Sequence, residues 1–392
     1  MKTDIVIVSA VRTPIGSFCG SLSTVKSHEL GSIVIKEALK RASVDPADLS
    51  EVIFGQALTC GQGQNPARQA AVRADVPLSV PAYLVSVLCG SGLKSVVVGC
   101  RNILAGDAKV VLCGGMETMS GAPHFTHLRA GVKLGAATLT DHILNDGLTD
   151  AFHNIHMGET AENLAVMYNI SREEQDKQAL ESQQRAAKAL KEGHFTDEVV
   201  PVTIKTSKGE QVLLEDEYPK PNTTLESLAK LEPVFVKGGT VTAGNASGMN
   251  DAAAAVVLMS AEEAGVRGLA PLARVVAYSE AGCNPKIMGI GVVPAVKMVL
   301  EKAGWTKDDV DVYELNEAFA AQALAVVREL GVDPAKVNIN GGAIALGHPI
   351  GASGTRVLVT LLYALRRSGG KRGVCSLCVG GGMGIAMAVE II

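Results

Sequence analysis

The last third of the chain repeats the first third in order, and that ordered repeat points to two copies of one α/β unit packed together. Early on, Cys89-Gly90-Ser91-Gly92 leads into an apolar helical run at 96–104, a glycine turn at Gly106, a strand at 109–113 and then Gly114-Gly115-Met116. Later, Gly351-Ala352-Ser353-Gly354 leads into a helical run at 357–367, the turn Gly369-Gly370, a strand at 374–379 and then Gly380-Gly381-Gly382-Met383. Upstream, Asp45-Pro46-Ala47-Asp48-Leu49 before a strand at 52–54 matches Thr306-Lys307-Asp308-Asp309-Val310 before a strand at 312–315. The spacings are unequal, so a coincidence of glycine turns is the competing explanation. Short apolar strands, beginning at 5–9, alternate with amphipathic helices such as 29–41, and this alternation predicts an α/β fold around a mostly parallel sheet.

Between the repeats the composition changes. Residues 120–249 carry polar and charged stretches, including 171–194, which reads as a solvated helical hairpin, and the acidic, proline-containing 214–221. These boundaries predict an N-terminal half made of 1–119 and 250–270, an inserted domain at 120–249 and a C-terminal half at 271–392. The insert ends in small residues at 238–248, where a ligand could approach the backbone closely. A loop packed for topological reasons reads the same.

Composition removes several function classes. A net charge of −4, with no lysine or arginine cluster interleaved with aromatics, gives no footprint for nucleic acid. No run of about 18 apolar residues is present to span a bilayer. The 8 cysteines do not form a disulfide framework in a chain of 392 residues. Together with a first strand that starts almost at Met1, this predicts free thiols and a cytoplasmic address, with a processed mitochondrial form, which would start the same way, as the alternative.

Four segments carry candidate chemistry. Cys89 stands where glycines open a turn before a helix, a setting in which unpaired N–H groups and the helix dipole favour thiolate over thiol. A buried structural cysteine is the plain alternative. His348, between Gly347 and Pro349, sits on a rigid turn where an imidazole can act as a general base. Asn316, in Glu314-Leu315-Asn316-Glu317-Ala318-Phe319, either caps the following helix or fixes a water. Cys378 ends a strand against Gly380-Gly381-Gly382, whose N–H groups could receive an oxyanion. Its pairing with Cys375 as CxxC also suggests zinc or redox work, although no second CxxC or ligand histidines accompany it.

Taken together, Leu88-Cys89-Gly90-Ser91-Gly92, Asn316-Glu317-Ala318-Phe319, Gly347-His348-Pro349 and Cys378-Val379-Gly380-Gly381-Gly382 resemble the four active-site motifs of the thiolase family, over residues 5–388. Within that family, His156-Met157-Gly158 in the insert is most similar to the acetyl-CoA C-acetyltransferases, since broad-chain degradative members usually lack this histidine. The resemblance implies a thiolase fold, with duplicated βαβαβαββ halves stacked as αβαβα and an inserted loop domain covering coenzyme A and supporting a homotetramer.

It also implies roles. Cys89 takes the acetyl group, His348 activates it, and Cys378 moves the α-proton of the second acetyl-CoA. The N–H groups of Cys89 and Gly380 form one oxyanion pocket, while His348 and an Asn316-bound water form the other. His156 and Phe319 bound the acyl pocket, and Met157, Ala243, Gly244, Ser247, Ala318, Lys220 and Ser227 line the path of coenzyme A. Lys220 stands where relatives often carry arginine, and would offer a point charge rather than a bidentate clamp. Acetyl-CoA, acetoacetyl-CoA and coenzyme A are then the partners, with no metal or other cofactor. Four rivals differ in testable ways: a malonyl-dependent β-ketoacyl synthase, a cysteine hydrolase using Cys89, His348 and Asn316, a non-catalytic acyl-CoA binder, and a dinucleotide dehydrogenase, for which no GxGxxG lies between a strand and a helix.

Overall fold

The strand at Ile5–Arg12 and the strand at Val110–Thr118 are buried at every residue. Strands buried on both faces must lie between two layers of helices. The computed structural model, which describes residues 4–206 and 209–392, provides those layers. Its first half runs β1 (Ile5–Arg12), α1 (Ser27–Ala42), β2 (Glu51–Gly55), α2 (Pro66–Arg73), β3 (Ala82–Val85), α3 (Ser91–Ala105), β4 (Val110–Thr118) and, after the insert, β5 (Asn250–Ser260). The second half runs β6 (Ala273–Gly282), α4 (Val292–Ala303), β7 (Val312–Leu315), α5 (Ala320–Leu330), α6 (Ile350–Ser368), β8 (Arg372–Val379) and β9 (Met383–Ile391).

The pairing plan is the same in both halves. β2 is parallel to β3 and β4, β4 is antiparallel to β5, and β5 is antiparallel to β1. Correspondingly, β7 is parallel to β8, β8 antiparallel to β9, and β9 antiparallel to β6. The counterpart of β3 shrinks to a single parallel bridge between Tyr313 and Val337. The two half-sheets join where Ile5, Val6 and Ile7 of β1 pair antiparallel with Val275, Arg274 and Ala273 of β6. The sheet is therefore mixed rather than mostly parallel, because each half ends in antiparallel strands.

Helices α3 and α6 pack against each other inside the curve of this sheet, sharing one apolar core with both half-sheets. The outer face of the first half is covered by α1 and α2, and that of the second by α4 and α5. The layer order is αβαβα, as the family resemblance implies.

Three local expectations are corrected. Gly114-Gly115 does not end the strand but lies inside β4. A Cβ at Gly115 would overlap the Gly351 carbonyl, so the glycine lets the start of α6 touch the strand. Helix α3 begins at Ser91 rather than at 96, which places Cys89 directly at its entrance. Residues 171–194 hold one helix, Arg172–Lys191, capped by Ser171 accepting from the Glu174 N–H. Its Ala179, Ser182, Gln183 and Ala186 are buried, so it is a packed wall and not a solvated hairpin. The acidic stretch 214–221 is also internal in part: Asp216 pairs with Arg12, and Glu217 accepts from the N–H groups of Ser17 and Ser21. These carboxylates fasten the insert to the first half.

Candidate active site

Leu88 adopts a left-handed backbone conformation with φ of 44°, which is strained for a bulky residue and turns the chain sharply into α3. Ser91 pins this corner: its hydroxyl accepts from the Val87 N–H at 2.8 Å and donates to the Leu88 carbonyl at 2.6 Å. Cys89 is carried at the apex. Its sulfur faces His348, with Sγ 3.2 Å from Nε2, and the backbone N–H groups of Gly380 and Cys89 itself address the same sulfur. Two N–H groups converging on one atom make an oxyanion receptor.

His348 is set from the other half. Gly347 has φ of 102°, a region L-residues rarely adopt, and a Cβ there would overlap the side-chain amide of Asn250. That amide accepts from the His348 N–H at 2.9 Å and donates to the Gly16 carbonyl at 2.9 Å. The ring's far nitrogen, Nδ1, lies 2.6 Å from the Ser353 hydroxyl on the first turn of α6. The cysteine and the histidine, 259 positions apart, thus meet where α3 and α6 converge on the sheet.

Cys378 is fully buried near the end of β8, and burial, reinforced by the neighbouring Cys89, holds its thiol well above the ordinary cysteine range. Cys375, three residues earlier, points into the core around α3 and α6, whereas Cys378 belongs to the core under α4 and α5. Opposite faces of one strand cannot share a metal ion, so the CxxC spacing carries no zinc or redox pair. Among the described residues, no group of three His, Cys, Asp or Glu is arranged to hold a metal, and no helix is long and apolar enough to cross a membrane.

Asn316 does not cap a helix. It follows β7, donates its N–H to the Ser376 carbonyl at 2.9 Å and is 1% exposed, and neither atom of its side-chain amide has a protein partner. A buried amide with free donor and acceptor sites is suited to fixing a polar group.

A cavity of about 430 Å³ opens onto Cys89, His348 and Gly380 and is walled by His156, Met157, Ala243, Ser247, Ala318 and Phe319. A second, of about 240 Å³, contains Lys220, Ser227 and Gly244. Ala243 and Tyr218 border both, so the two form one path leading outward from the thiol. Lys220 Nζ sits 5.2 Å from the Tyr218 ring centre. Every proposed coenzyme A contact therefore lies on this path, while Cys378 and Asn316 stand in the protein behind it.

The acyl end has an aromatic wall. The His156 ring stacks on Phe235 at 4.7 Å, and Phe235 meets Phe319 edge-on at 6.0 Å. Nδ1 of His156 accepts from the Gly158 N–H at 3.0 Å, which leaves its proton on Nε2, and burial lowers its pKa further, so the ring is neutral. Glu159 accepts from the His156 N–H at 2.9 Å and holds the residue in place.

Phe235, Tyr218, Asn250 and Glu117 carry no chemical motif of their own, and Ser353, although it stands in Gly351-Ala352-Ser353-Gly354, reads there as the opening of a helix rather than as a partner of His348. Glu117 is fully buried, and burial pushes its carboxyl up to about 7 against the pull of the N–H groups of Ala57, Gly351 and Leu58. It ties the start of α6 to the loop after β2.

The expectation of a lowered Cys89 pKa is overturned. Burial in an apolar cleft pushes this thiol up to about 12, outweighing the two N–H groups, and pushes His348 down to about 3. The resting pair is a neutral thiol facing a neutral imidazole, and the nucleophile forms only as its proton moves to Nε2. In the ligand-free protein, the rate of Cys89 alkylation by iodoacetamide should therefore keep rising beyond pH 10. A plateau near pH 8.5, where an ordinary thiol has ionised, is the contrary result.

Comparison with known proteins agrees with this geometry. The family model "Thiolase, N-terminal domain" matches residues 5–262, and "Thiolase, C-terminal domain" matches 269–391. The chain is 58% identical over 388 residues to the cytosolic acetyl-CoA acetyltransferase of Mus musculus, covering 98% of each. It is 52% identical over 390 residues to the acetyl-CoA acetyltransferase of Shinella zoogloeoides, covering 100% of both. Among solved structures, the Bacillus anthracis acetyl-CoA acetyltransferase superposes with a TM-score of 0.98 at 47% identity, covering 100% of this chain and 99% of that one. Human mitochondrial 3-ketoacyl-CoA thiolase gives 0.97 at 47%, with the same coverage.

Proposed function

Because the chain belongs to the thiolase family, we infer that it is an acetyl-CoA acetyltransferase, an acyltransferase that interconverts two acetyl-CoA with acetoacetyl-CoA and free coenzyme A. The observation that carries this reading is the Cys89–His348 pair at 3.2 Å beneath two N–H donors, opening onto a cavity of about 430 Å³. The aromatic wall of His156, Phe235 and Phe319 keeps the acyl end short.

In the thiolysis direction, Cys89 attacks the keto carbonyl of acetoacetyl-CoA and its proton passes to His348 Nε2. The oxyanion is received by the N–H groups of Cys89 and Gly380, each donor lowering the barrier by roughly 3 kcal/mol. When the carbon–carbon bond breaks, the enolate of acetyl-CoA takes a proton from Cys378, while His348 and a water on Asn316 hold its oxygen. A thiol kept protonated by burial is the form this step needs. Coenzyme A then gives its own proton to the Cys378 thiolate and attacks acetyl-Cys89, and the released sulfur recovers its proton from His348. Condensation reverses the order, with Cys378 as base.

On this reading coenzyme A is a substrate, and thiol, imidazole and backbone groups complete the chemistry without a further cofactor. A cytoplasmic address and a homotetramer belong to the same reading. The tetramer is supported by apolar side chains on the insert that meet water, with Leu134 95% and Leu139 63% exposed.

The test is thiolysis of acetoacetyl-CoA by the wild type and Cys378→Ser, with mass analysis of the acyl adduct. Serine at 378 should lower kcat by about 10²–10⁴, the contribution of a positioned acid/base, while the acetyl adduct that can be trapped is still carried by Cys89. An adduct on any other residue sinks the assignment. Exchange of labelled coenzyme A into acetyl-CoA separates this reading from a cysteine hydrolase, which passes the acyl group to water.

A further inference from the structure

The far side of the His348 ring carries a second assignment. Nδ1 lies 2.6 Å from Ser353 Oγ, and Ser353 Oγ lies 2.9 Å from the carbonyl oxygen of Pro349, with Ser353 fully buried and His348 7% exposed. A carbonyl can only accept, and a hydroxyl has one proton. Given to Pro349, that proton leaves the hydroxyl oxygen facing Nδ1 as an acceptor, so Nδ1 must be the protonated nitrogen. In a neutral imidazole the other nitrogen is then bare. Nε2 is the one 3.2 Å from Cys89 Sγ.

We propose that Ser353 is a positioning residue for catalysis, which selects the Nδ1–H tautomer of His348 and so keeps a lone pair aimed at the Cys89 thiol. The donors run in one direction, from the Cys89 S–H to Nε2, from Nδ1–H to the Ser353 hydroxyl, and from that hydroxyl to the Pro349 carbonyl. The opposite tautomer would set an N–H against an S–H and leave Nδ1 and the Pro349 carbonyl competing for the one Ser353 hydroxyl proton. Helix geometry makes the device rigid, because Ser353 lies on the first turn of α6, whose N–H also bonds the Pro349 carbonyl at 2.9 Å. A hydroxyl suits the task better than a carboxylate would. It orients the ring without adding a negative charge that would trap the imidazolium, so the proton taken from Cys89 stays available for the returning sulfur.

The inference rests on the thiolase reading of the site, yet its first readout needs no acyl-CoA and can fail alone. In a neutron structure of the perdeuterated, ligand-free wild type, deuterium is expected on Nδ1 of His348 and on Sγ of Cys89, with none on Nε2. Deuterium on Nε2 alone overturns the proposal whatever the enzyme's activity. In the second arm, Ser353→Ala should lower kcat for acetoacetyl-CoA thiolysis about tenfold, the worth of one buried hydrogen bond, with KM changed less than twofold. Nitrogen-15 spectra of histidine-labelled Ser353→Ala should show His348 no longer held as one tautomer. Ser353→Thr, which keeps the hydroxyl, should restore both kcat and the single tautomer. A single Nδ1–H tautomer that persists in Ser353→Ala overturns the assignment, because the ring would then be set by something else.

Discussion

Cys89→Ala should reduce acetyl transfer by about 10⁵–10⁶, because removing a covalent nucleophile disables the other members of its unit as well. The remaining groups have no independent route. His348 Nε2 faces the Cys89 sulfur at 3.2 Å, and the N–H groups of Cys89 and Gly380 address that same sulfur. Without the sulfur, the base has no thiol proton to take and the oxyanion receptor has no covalent adduct to hold, and water in an apolar cleft is a poor substitute. The loss should fall entirely on kcat. The path for coenzyme A is lined by Met157, Ser247, Lys220 and Ser227, none of which Cys89 supports, so binding of coenzyme A measured by calorimetry should stay within about threefold, a change of less than 1 kcal/mol. A variant that keeps more than about a hundredth of its activity, a loss within reach of one acid/base group alone, would show that no acetyl-Cys89 lies on the pathway. The double variant Cys89→Ala with His348→Ala should be no slower than Cys89→Ala alone, since the two act as one device.

How far a sequence discloses such a site depends on whether its parts are local. Cys89, His348 and Cys378 are each flanked by glycines, because a reacting atom must be presented at a sharp corner and approached closely by backbone; that requirement writes a motif into the chain. The duplication was equally visible, since it repeats turns and strands in order. Ser353 lies inside Gly351-Ala352-Ser353-Gly354, which marks a helix start but not a partner of His348, and Asn250 reaches the His348 N–H from a strand 98 positions away. The same holds for Phe235, whose importance lies in a ring stacked on His156 at 4.7 Å from a distant segment. Elsewhere local and tertiary demands diverge. Gly114-Gly115 reads as the end of a strand, yet β4 runs on through it, and the missing Cβ at Gly115 makes room for the start of α6. Polar residues along Arg172–Lys191 suggested solvent, but Ser182 and Gln178 bond Glu317, and Gln183 accepts from the Lys220 N–H, so this polarity is spent inside the protein. The thiol's ionisation depends on burial, which no motif records.

The insert depends on one buried cation, and Arg12→Ala should cost about 3–5 kcal/mol of stability, as breaking a buried ion pair from one side does. Arg12 is fully buried. Its Nε donates to Glu198 at 2.6 Å, and Nη1 and Nη2 donate to the two oxygens of Asp216 at 2.7 and 2.9 Å, with the Phe195 ring 5.1 Å from the guanidinium. Removing the cation leaves two carboxylates facing each other without water, and their repulsion and desolvation, rather than lost attraction, make up most of the penalty. Arg12→Met combined with Glu198→Gln and Asp216→Asn should therefore recover most of the stability that Arg12→Ala loses, as read from the urea midpoint. A triple variant no more stable than Arg12→Ala would mean that the attraction itself dominates. The site should feel the change unevenly. Asp216 lies four residues before Lys220 on the strap that forms the outer part of the coenzyme A path, while Cys89 and His348 are held by α3, α6 and Asn250. In Arg12→Ala, KM for coenzyme A should rise several-fold at temperatures well below unfolding, while acetylation of Cys89 by saturating acetyl-CoA keeps its wild-type rate. Equal losses in both would place the Arg12 cluster inside the catalytic core instead of at the hinge between core and insert.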